Sequence, residues 1–270
     1  MKKSKMNLNL MLVASAIAGA TFIYSCTKDS ASSNPAPPVY NQANTPPYTP
    51  CPNVENLENP YDNVGVAHND GLEYVLAHKP QWSCGDDAQW IQTAIDLTAT
   101  FVCDKGYGPS ADCYNATSAM LNNVVNDYQS MTLEDVIAGM GSVQLQDYTG
   151  QLFNEVQSYR DSTQIDSLLT SIKQLEGEAI TSTLNPDERR TFLELASIAR
   201  YSSCYWFQEH QKSVTDWHCP TNPIPAGKYN WTKLLVTICA DIAGGALGSI
   251  TGPAGTVAGA MGFSAIYATI

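Results

Sequence analysis

The stretch from Asn185 to Trp206, NPDERRTFLELASIARYSSCYW, decides the fold class of this chain. It opens with Asn185, a residue typical of a helix N-cap, and it places Pro186 at the first helical position. Asp187 and Glu188 follow in the first turn, where carboxylates suit the positive end of the helix dipole. Apolar side chains then recur at helical spacing as far as Trp206. The stretch therefore predicts a long, capped α-helix.

Six further stretches upstream carry apolar residues at the helical spacing of three and four. They cover residues 64–75, 90–102, 116–128, 132–140, 152–159 and 165–175. Ser110 is the expected N-cap of the third stretch. No segment alternates between apolar and polar residues as a half-buried strand would. The sequence thus predicts an all-α fold, an irregular helical bundle, with an acidic helical domain over residues 57–212.

A segment rich in Gly and Ala follows this domain. Residues 213–230 form a Pro-rich loop, and residues 231–270 carry Asp241 as their last charged residue. Residues 242–270 contain seven glycines, and Gly252-Pro253 should break any helix there. Glycines spaced by four let two helix backbones approach closely. We therefore predict a C-terminal helical hairpin whose packing glycines are Gly244, Gly248, Gly252, Gly255 and Gly259.

The glycine spacing resembles the glycine zippers of some bacteriocins and small membrane-active peptides. That resemblance leaves three interpretations of residues 242–270: a core element of the helical domain, an element that inserts into a bilayer, or a self-assembly surface. Each arm is shorter than the roughly 20 residues of a membrane span. Asp241 would also be costly at membrane depth. An uncharged segment of this length is nevertheless unusual for a soluble surface, so the three interpretations stay open.

The N-terminus is typical of an export signal. Three lysines precede an uncharged apolar run from Leu10 to Tyr24, and a small residue stands just before Cys26. The run is short for a membrane span of about 20 residues. The ending resembles the lipobox of bacterial lipoproteins, which implies that residues 1–25 are a signal peptide and that Cys26 is lipidated. An ordinary cleaved signal or an uncleaved anchor is the alternative.

Residues 26–56 have the composition of a tether. They are rich in Ser, Pro, Asn and Thr and poor in aliphatic residues, which predicts a disordered, extended segment. Lys28-Asp29 resembles, over two residues, the signal that sends lipoproteins to the cell surface in some Gram-negative bacteria. We therefore expect an exported outer-membrane lipoprotein that faces the periplasm or the cell surface. Its expected partner is the lipid bilayer, through acylated Cys26.

The mature chain is strongly acidic. Removal of residues 1–25 takes away three of the 14 basic residues and none of the 26 acidic ones, which leaves a formal charge of −15. Nucleic-acid binding needs Lys and Arg against phosphate, so this charge argues against a nucleic-acid partner. It also argues against electrostatic adhesion to anionic lipid. A soluble acidic surface is the simplest interpretation.

Seven cysteines remain once Cys26 is assigned to lipid, and disulfides are expected in an oxidising compartment. Cys103 and Cys113 are the favoured pair, because they end one predicted helix and start the next. Cys84 cannot reach Cys103 across a straight helix of about 18 residues, which spans roughly 27 Å. Cys239, in an apolar run, is the expected buried free thiol. The other bonds are open among Cys51, Cys84, Cys204 and Cys219.

The sequence carries no recognisable catalytic motif: the phosphate-binding loop, the dinucleotide fingerprint, HExxH, GxSxG and CxxC are all absent. His68 lies on the apolar stripe of the first predicted helix and is expected to be a core histidine. His78 is expected to cap the end of that helix, and Asp86-Asp87 to cap the start of the next. We predict no metal and no cofactor, because the sequence spacing of the candidate ligands matches no zinc-binding pattern. These candidates are Cys204, His210, His218 and Cys219.

The segment His68-Asn69-x-Gly71-Leu72-x-Tyr74 resembles the opening helix of uncharacterised helical proteins exported by related bacteria, a resemblance that implies no particular activity. The leading hypothesis is a non-catalytic binding or envelope lipoprotein with an unknown protein partner. A membrane-active or self-assembling protein that works through residues 242–270 is the alternative, and it should show that segment poorly packed. An uncharacterised hydrolase is the third hypothesis, and it should show a cleft with His68 or His210 beside a carboxylate.

Overall fold

The structure, a computed structural model, describes residues 51–79, 87–107, 112–128, 131–159, 165–211, 217 and 231–268. Within these ranges every regular element is helical, with nine α-helices and one short 3-10 turn. The predicted all-α fold is confirmed.

The helices are named in chain order: α1 Asn63–His78, α2 Asp87–Asp104, α3 Cys113–Tyr128, α4 Leu133–Ala138, α5 Val143–Ser158, α6 Ile165–Thr181, α7 Pro186–Gln211, α8 Trp231–Gly248 and α9 Pro253–Tyr267. Each predicted helical stretch overlaps one of them. The predicted cap Ser110 lies outside the described residues, and so does the Pro-rich loop apart from Trp217. At the end of α1, His78 Nδ1 donates to the Tyr74 carbonyl oxygen at 2.8 Å, which is the predicted cap.

α7 begins as its sequence predicts. Asn185 Oδ1 accepts hydrogen bonds from the backbone amides of Asp187 and Glu188, each at 3.0 Å. Glu188 Oε2 accepts from Asn185 N at 3.3 Å, which completes a capping box. Glu188 Oε1 also accepts from Ser142 N at 3.0 Å, and the contact with Ser142 is the main reason that the pKa of Glu188 lies below its ordinary value. One carboxylate therefore fixes the start of both α5 and α7.

Two helices are enclosed by the rest of the domain. α7 is buried without interruption from Phe192 to Trp206, and α9 is buried from Gly255 to Ile266. α9 contacts α1, α2, α3, α7 and α8. A helix enclosed in this way must be apolar all round or must satisfy its polar groups internally. α9 is largely apolar. α7 instead pairs most of its buried polar side chains, although Ser203 Oγ has no hydrogen-bond partner.

α8 and α9 form the predicted helical hairpin. Gly252 turns the chain with a φ of 91°, a left-handed conformation that favours glycine, and a proline follows it at the start of α9. Along the arms, glycine faces glycine. A Cβ atom on Gly248 would lie 1.9 Å from the Gly255 carbonyl oxygen, and one on Gly244 would lie 2.4 Å from that of Gly259. The two backbones are in direct contact, with no room for a side chain.

The hairpin and the helical domain are one packed unit. Residues of α8 and α9 belong to the same hydrophobic core as those of α1 to α7, so the predicted boundary after residue 212 does not divide two cores. The stretch Lys233–Thr251 is long and apolar enough to cross a membrane, but 67% of its apolar window is buried inside the domain. A core helix of a soluble protein meets the same criteria of length and composition.

Two disulfides hold the described chain. Cys103 is joined to Cys113, the pair that the sequence favours, and Cys51 is joined to Cys204; the Cα atoms are 5.8 Å apart in each bond. Cys239 is a free thiol, as predicted, but it is half-buried rather than buried. Loss of hydration raises its pKa to about 12. The remaining disulfide candidates, Cys84 and Cys219, lie outside the described residues.

The folded domain begins earlier than the sequence predicts. The predicted tether covers residues 26–56, yet Cys51 and Val54 are buried, with 7% and 3% of their surface exposed. Both pack in a small cluster that includes Cys204 and Tyr201 on α7. Local composition could not predict that residues 51–56 belong to the domain, because their attachment depends on Cys204, which lies 153 residues further along the chain.

Candidate functional site

A cluster of buried polar side chains lies where α1, α7, α8 and α9 meet, and we name it the His68 centre. Its members have no more than 3% of their surface exposed. They are His68 and Asn69 on α1, Ser202 and Trp206 on α7, Asp241 on α8 and Ser264 on α9. Each of the four helices therefore contributes at least one polar group to the same point in the core.

Asp241 connects the members of the His68 centre. Its Oδ2 atom accepts hydrogen bonds from Ser202 Oγ and from Trp206 Nε1, the latter at 3.0 Å. His68 Nε2 lies 3.5 Å from the same oxygen. Trp206 Nε1 also lies 3.2 Å from Ser264 Oγ, which brings α9 into the centre.

Burial sets the protonation of the His68 centre. Loss of hydration lowers the pKa of His68 to about 4, although the hydrogen bond to Asn69 opposes the change. Loss of hydration also raises the pKa of Asp241 to about 7, although the hydrogen bond from Ser202 opposes it. Both shifts favour uncharged forms.

The His68 centre has the residue types of a hydrolytic triad without its connectivity. In a triad, the serine donates to the histidine and the aspartate orients the histidine. Here Ser202 donates directly to Asp241, while the two ring nitrogens of His68 face Asn69 and Asp241. His68, Ser202 and Asp241 are fully buried and expose no surface to solvent. As it stands, the centre admits no substrate and acts as a polar part of the core.

A second buried cluster, the Arg200 cluster, holds the segment before α1 onto α7. The fully buried Arg200 guanidinium donates to the Val54 carbonyl oxygen, to Asp62 Oδ1 and, at 2.9 Å, to Glu176 Oε1. Asn59 Nδ2 donates to the same Glu176 oxygen at 2.7 Å. Burial alone would lower the pKa of Arg200, but the carboxylates of Glu176 and Asp62 raise it above its ordinary value. The guanidinium therefore stays charged inside the domain.

The Arg200 cluster and the disulfide at Cys204 act on the same segment, residues 51–62. The Tyr201 hydroxyl donates to Asp62 Oδ2 at 3.0 Å, and Ser197 Oγ donates to the Asp62 carbonyl oxygen at 2.8 Å. Hydrogen bonds to charged groups are stronger than neutral ones. One covalent bond and several such contacts therefore fix this segment to an enclosed helix.

A third buried acid lies between α7 and α9. Glu194 has 1% of its surface exposed, and its Oε2 atom accepts from Thr256 Oγ1 at 2.8 Å. Arg190 Nε lies 3.8 Å from the other carboxylate oxygen. Burial raises the pKa of Glu194 to about 7, against the opposing effects of Thr256 and Arg190. Glu194 is therefore partly protonated near neutral pH, as Asp241 is.

Of the four residues in the metal-like set, only Cys204 has a side chain within the described part of the chain. The Cys204 sulfur is bonded to Cys51, so it is not available as a thiolate ligand. Among the described residues, no group of three or more His, Cys, Asp or Glu side chains is arranged to hold a metal ion. The side chain of His210, and all of His218 and Cys219, lie outside the described part of the chain. Asp86, predicted to cap the start of α2, lies outside it as well.

The described surface has an open polar depression formed by α5, α6 and the residue after α5. It is lined by Glu155, Ser158, Tyr159 and Ser167. None of these side chains belongs to the His68 centre or to the Arg200 cluster. The depression therefore gives neither cluster access to solvent.

Sequence reasoning found His68 but not its partners. His68 lies in the core, where the apolar stripe of α1 predicts it. Asp241 has a sequence signal, because an isolated carboxylate before a long uncharged run must find a partner if it is buried. Ser202 and Arg200 have no such signal, since polar residues on a long helix are ordinarily assigned to its solvent face.

No protein-family model, curated protein or solved structure matches the chain.

Proposed function

We propose that the chain is an exported lipoprotein, anchored in the outer membrane by acylated Cys26, whose acidic helical domain is a non-catalytic binding or envelope module. One observation carries the proposal: residues 255–266 lie in the core of the domain. A segment that holds the core together cannot enter a bilayer unless the domain unfolds. The lipid on Cys26 is then the means of membrane attachment.

The disulfides support an exported location, because such bonds persist in oxidising compartments and are rare in the cytosol. The bond between Cys51 and Cys204 also suits a tethered domain. It joins Cys51, the first described residue of the domain, to α7, one of the two enclosed helices. A mechanical force on the tether would be transmitted to the core through this covalent bond, so residues 52–62 would not carry it.

The buried chemistry supports a role in binding or structure rather than catalysis. His68 and Asp241 are the histidine and carboxylate that lie together, and both are sealed from solvent. Burial favours the uncharged form of each group. A general acid or base must reach the proton that it transfers, and these two groups cannot reach a solvent-borne substrate.

A membrane-active protein is the second candidate, and one observation favours it. The stretch Lys233–Thr251 has the length and apolarity of a membrane span. The glycine contacts between α8 and α9 would also serve helix pairing in a bilayer. This function would require α9 to leave its contacts with α1, α2, α3 and α7.

The test of the proposal compares Cys26→Ser with Cys239→Ser in the full chain, expressed in a bacterial host that processes lipoproteins. Each variant removes one thiol, and Cys239 forms no disulfide, so the second variant is a matched control. We expect fatty-acid labelling and partition into a detergent phase to be lost in Cys26→Ser and kept in Cys239→Ser. Unlabelled parent protein, or a Cys26→Ser protein that resists extraction from the membrane by alkaline carbonate, would contradict the proposal.

Vesicle flotation of the Cys26→Ser protein then separates the two candidates. The proposal predicts that the protein stays with the soluble fraction and that vesicles keep an encapsulated dye. Flotation with the vesicles, accompanied by dye release, would favour the membrane-active candidate instead.

A further inference from the structure

A chain of hydrogen bonds from α7 to α1 fixes the position of the imidazole hydrogen of His68. Asn69 Nδ2 donates to the Tyr201 carbonyl oxygen at 3.1 Å, so Asn69 Oδ1 is the acceptor end of that amide. His68 Nδ1 lies 2.9 Å from this oxygen and must donate to it. A neutral imidazole carries hydrogen on only one nitrogen. The other nitrogen, Nε2, therefore presents a lone pair.

That lone pair faces a second acceptor. His68 Nε2 lies 3.5 Å from Asp241 Oδ2, and this oxygen already accepts hydrogen bonds from Ser202 and Trp206. An ionised carboxylate here would leave two acceptors facing each other in a site sealed from water, at a considerable cost in free energy. Within the His68 centre, the buried polar atoms that lack a hydrogen-bond partner are His68 Nε2 and Asp241 Oδ1.

We infer that His68 and Asp241 together bind one proton inside the domain, held on the carboxyl group and directed at the imidazole. The hydrogen removes the conflict between the two acceptors. It also leaves the pair uncharged, which suits its complete burial. The proton is the ligand of this site, and both residues are needed to hold it.

The surroundings of the pair do not supply a competing charge. α7 and α9 present neutral hydroxyl and indole groups to Asp241, from Ser202, Trp206 and Ser264. On α8 the neighbouring titratable group is Cys239, whose pKa burial raises to about 12, so the thiol stays protonated. On α1 the facing group is His68 itself. Among the described residues, His68 is the only basic group within 4 Å of the Asp241 carboxylate.

Because the pair shares one proton, its contribution to the free energy of unfolding does not change with pH in a range where the contribution of either group alone would change. Burial moves the pKa of His68 from 6.5 to about 4 and that of Asp241 from 3.8 to about 7. From about pH 4 to about 6.5, the folded pair holds one proton on Asp241 and the unfolded pair holds one on His68. Folding moves the proton between the groups with no net uptake, so the pair adds no slope to stability against pH.

The test follows the unfolding equilibrium of the disulfide-bonded protein against pH for the parent, Asp241→Asn and His68→Gln. In Asp241→Asn the folded pair holds no proton while unfolded His68 holds one. Its unfolding constant should fall about tenfold per pH unit, relative to the parent, between about pH 4.5 and 6. In His68→Gln the folded state holds a proton on Asp241 that the unfolded state has lost. Its unfolding constant should rise about tenfold per pH unit over the same range.

An Asp241→Asn profile that runs parallel to the parent would overturn the inference, because it would mean that folded Asp241 carries no proton. If this variant does not fold, nitrogen NMR of the parent decides the question. We expect His68 to be neutral, with hydrogen on Nδ1 and a lone pair on Nε2, and with no change between about pH 5 and 6.5. A neutral ring with hydrogen on Nε2 would overturn the inference.

Discussion

α7 and α9 are both enclosed by the same domain, but their sequences have little in common. The buried part of α9 is small or apolar apart from Thr256 and Ser264. The buried part of α7 includes Glu194, Arg200 and three serines, Ser197, Ser202 and Ser203. α9 packs closely because glycine leaves its backbone bare on one face. α7 is enclosed because most of its buried polar side chains find partners on other helices or on the segment before α1. Apolar composition is therefore one of two routes to the interior, and it is the one visible in sequence.

The largest effect should come from breaking the internal pairing of α7. Arg200→Met removes the cation that faces Glu176 and Asp62, and leaves the buried Glu176 carboxylate and the half-buried Asp62 carboxylate without a positive charge beside them. We expect a loss of about 3–5 kcal/mol in the free energy of unfolding, measured by urea denaturation. Arg190→Met on the same helix is the control. Its side chain is one-third exposed (33%), so its loss should stay below about 1 kcal/mol. Equal losses for the two variants would contradict the role given to the Arg200 cluster.

The corresponding change at the contact between α8 and α9 acts through steric overlap rather than through charge. Gly248→Ala places a methyl group 1.9 Å from the Gly255 carbonyl oxygen, so the hairpin must open. We expect a loss of about 2–3 kcal/mol by the same measurement, as is typical of overpacked cores. An unchanged stability would show that α8 and α9 are not in backbone contact.

The two helices meet at Glu194 and Thr256, and this contact should give a pH dependence. Burial raises the pKa of Glu194 from 4.5 to about 7. The folded state therefore binds more protons than the unfolded state between these values, and stability falls as pH rises. Glu194→Gln should remove this fall, which amounts to about 1.4 kcal/mol per pH unit within the window.

Glu188→Gln is the matched control for this pH dependence, because the pKa of half-buried Glu188 is lowered instead of raised. The folded state then binds fewer protons, so Glu188 contributes stability that is lost as pH falls through its folded pKa. The change in the pH dependence of the free energy of unfolding, relative to the parent, should therefore be opposite in sign for Glu188→Gln and Glu194→Gln. The same sign for both variants would contradict the assignment of Glu194 as a buried, proton-binding acid.

The smallest effect concerns a glycine that makes no close contact. In α5, a Cβ atom on Gly150 would have no atom within 4 Å outside its own helix. Gly150→Ala should therefore raise the stability by about 0.5–1 kcal/mol, the difference in helix propensity between the two residues. Thermal unfolding monitored by circular dichroism would resolve this gain. A loss comparable to that of Gly248→Ala would mean that the glycine contacts of the hairpin have no special role.

The sequence predicted the features whose causes are local. The cap at Asn185 and the turn at Gly252 involve residues within a few positions of each other, and the glycine spacing lies along one helix at a time. The partners of Asp241 and Arg200 could not be predicted, because they come from distant helices that only the folded topology brings together. The early start of the domain at Cys51 has the same explanation.

The central claim is that α9 is a core helix of the domain, and amide hydrogen exchange of the Cys26→Ser protein, with and without lipid vesicles, tests it most directly. We predict that the amides of residues 255–266 are among the slowest to exchange and that vesicles leave their exchange rates unchanged. Rapid exchange of these amides in solution, or protection that appears only with vesicles, would contradict it.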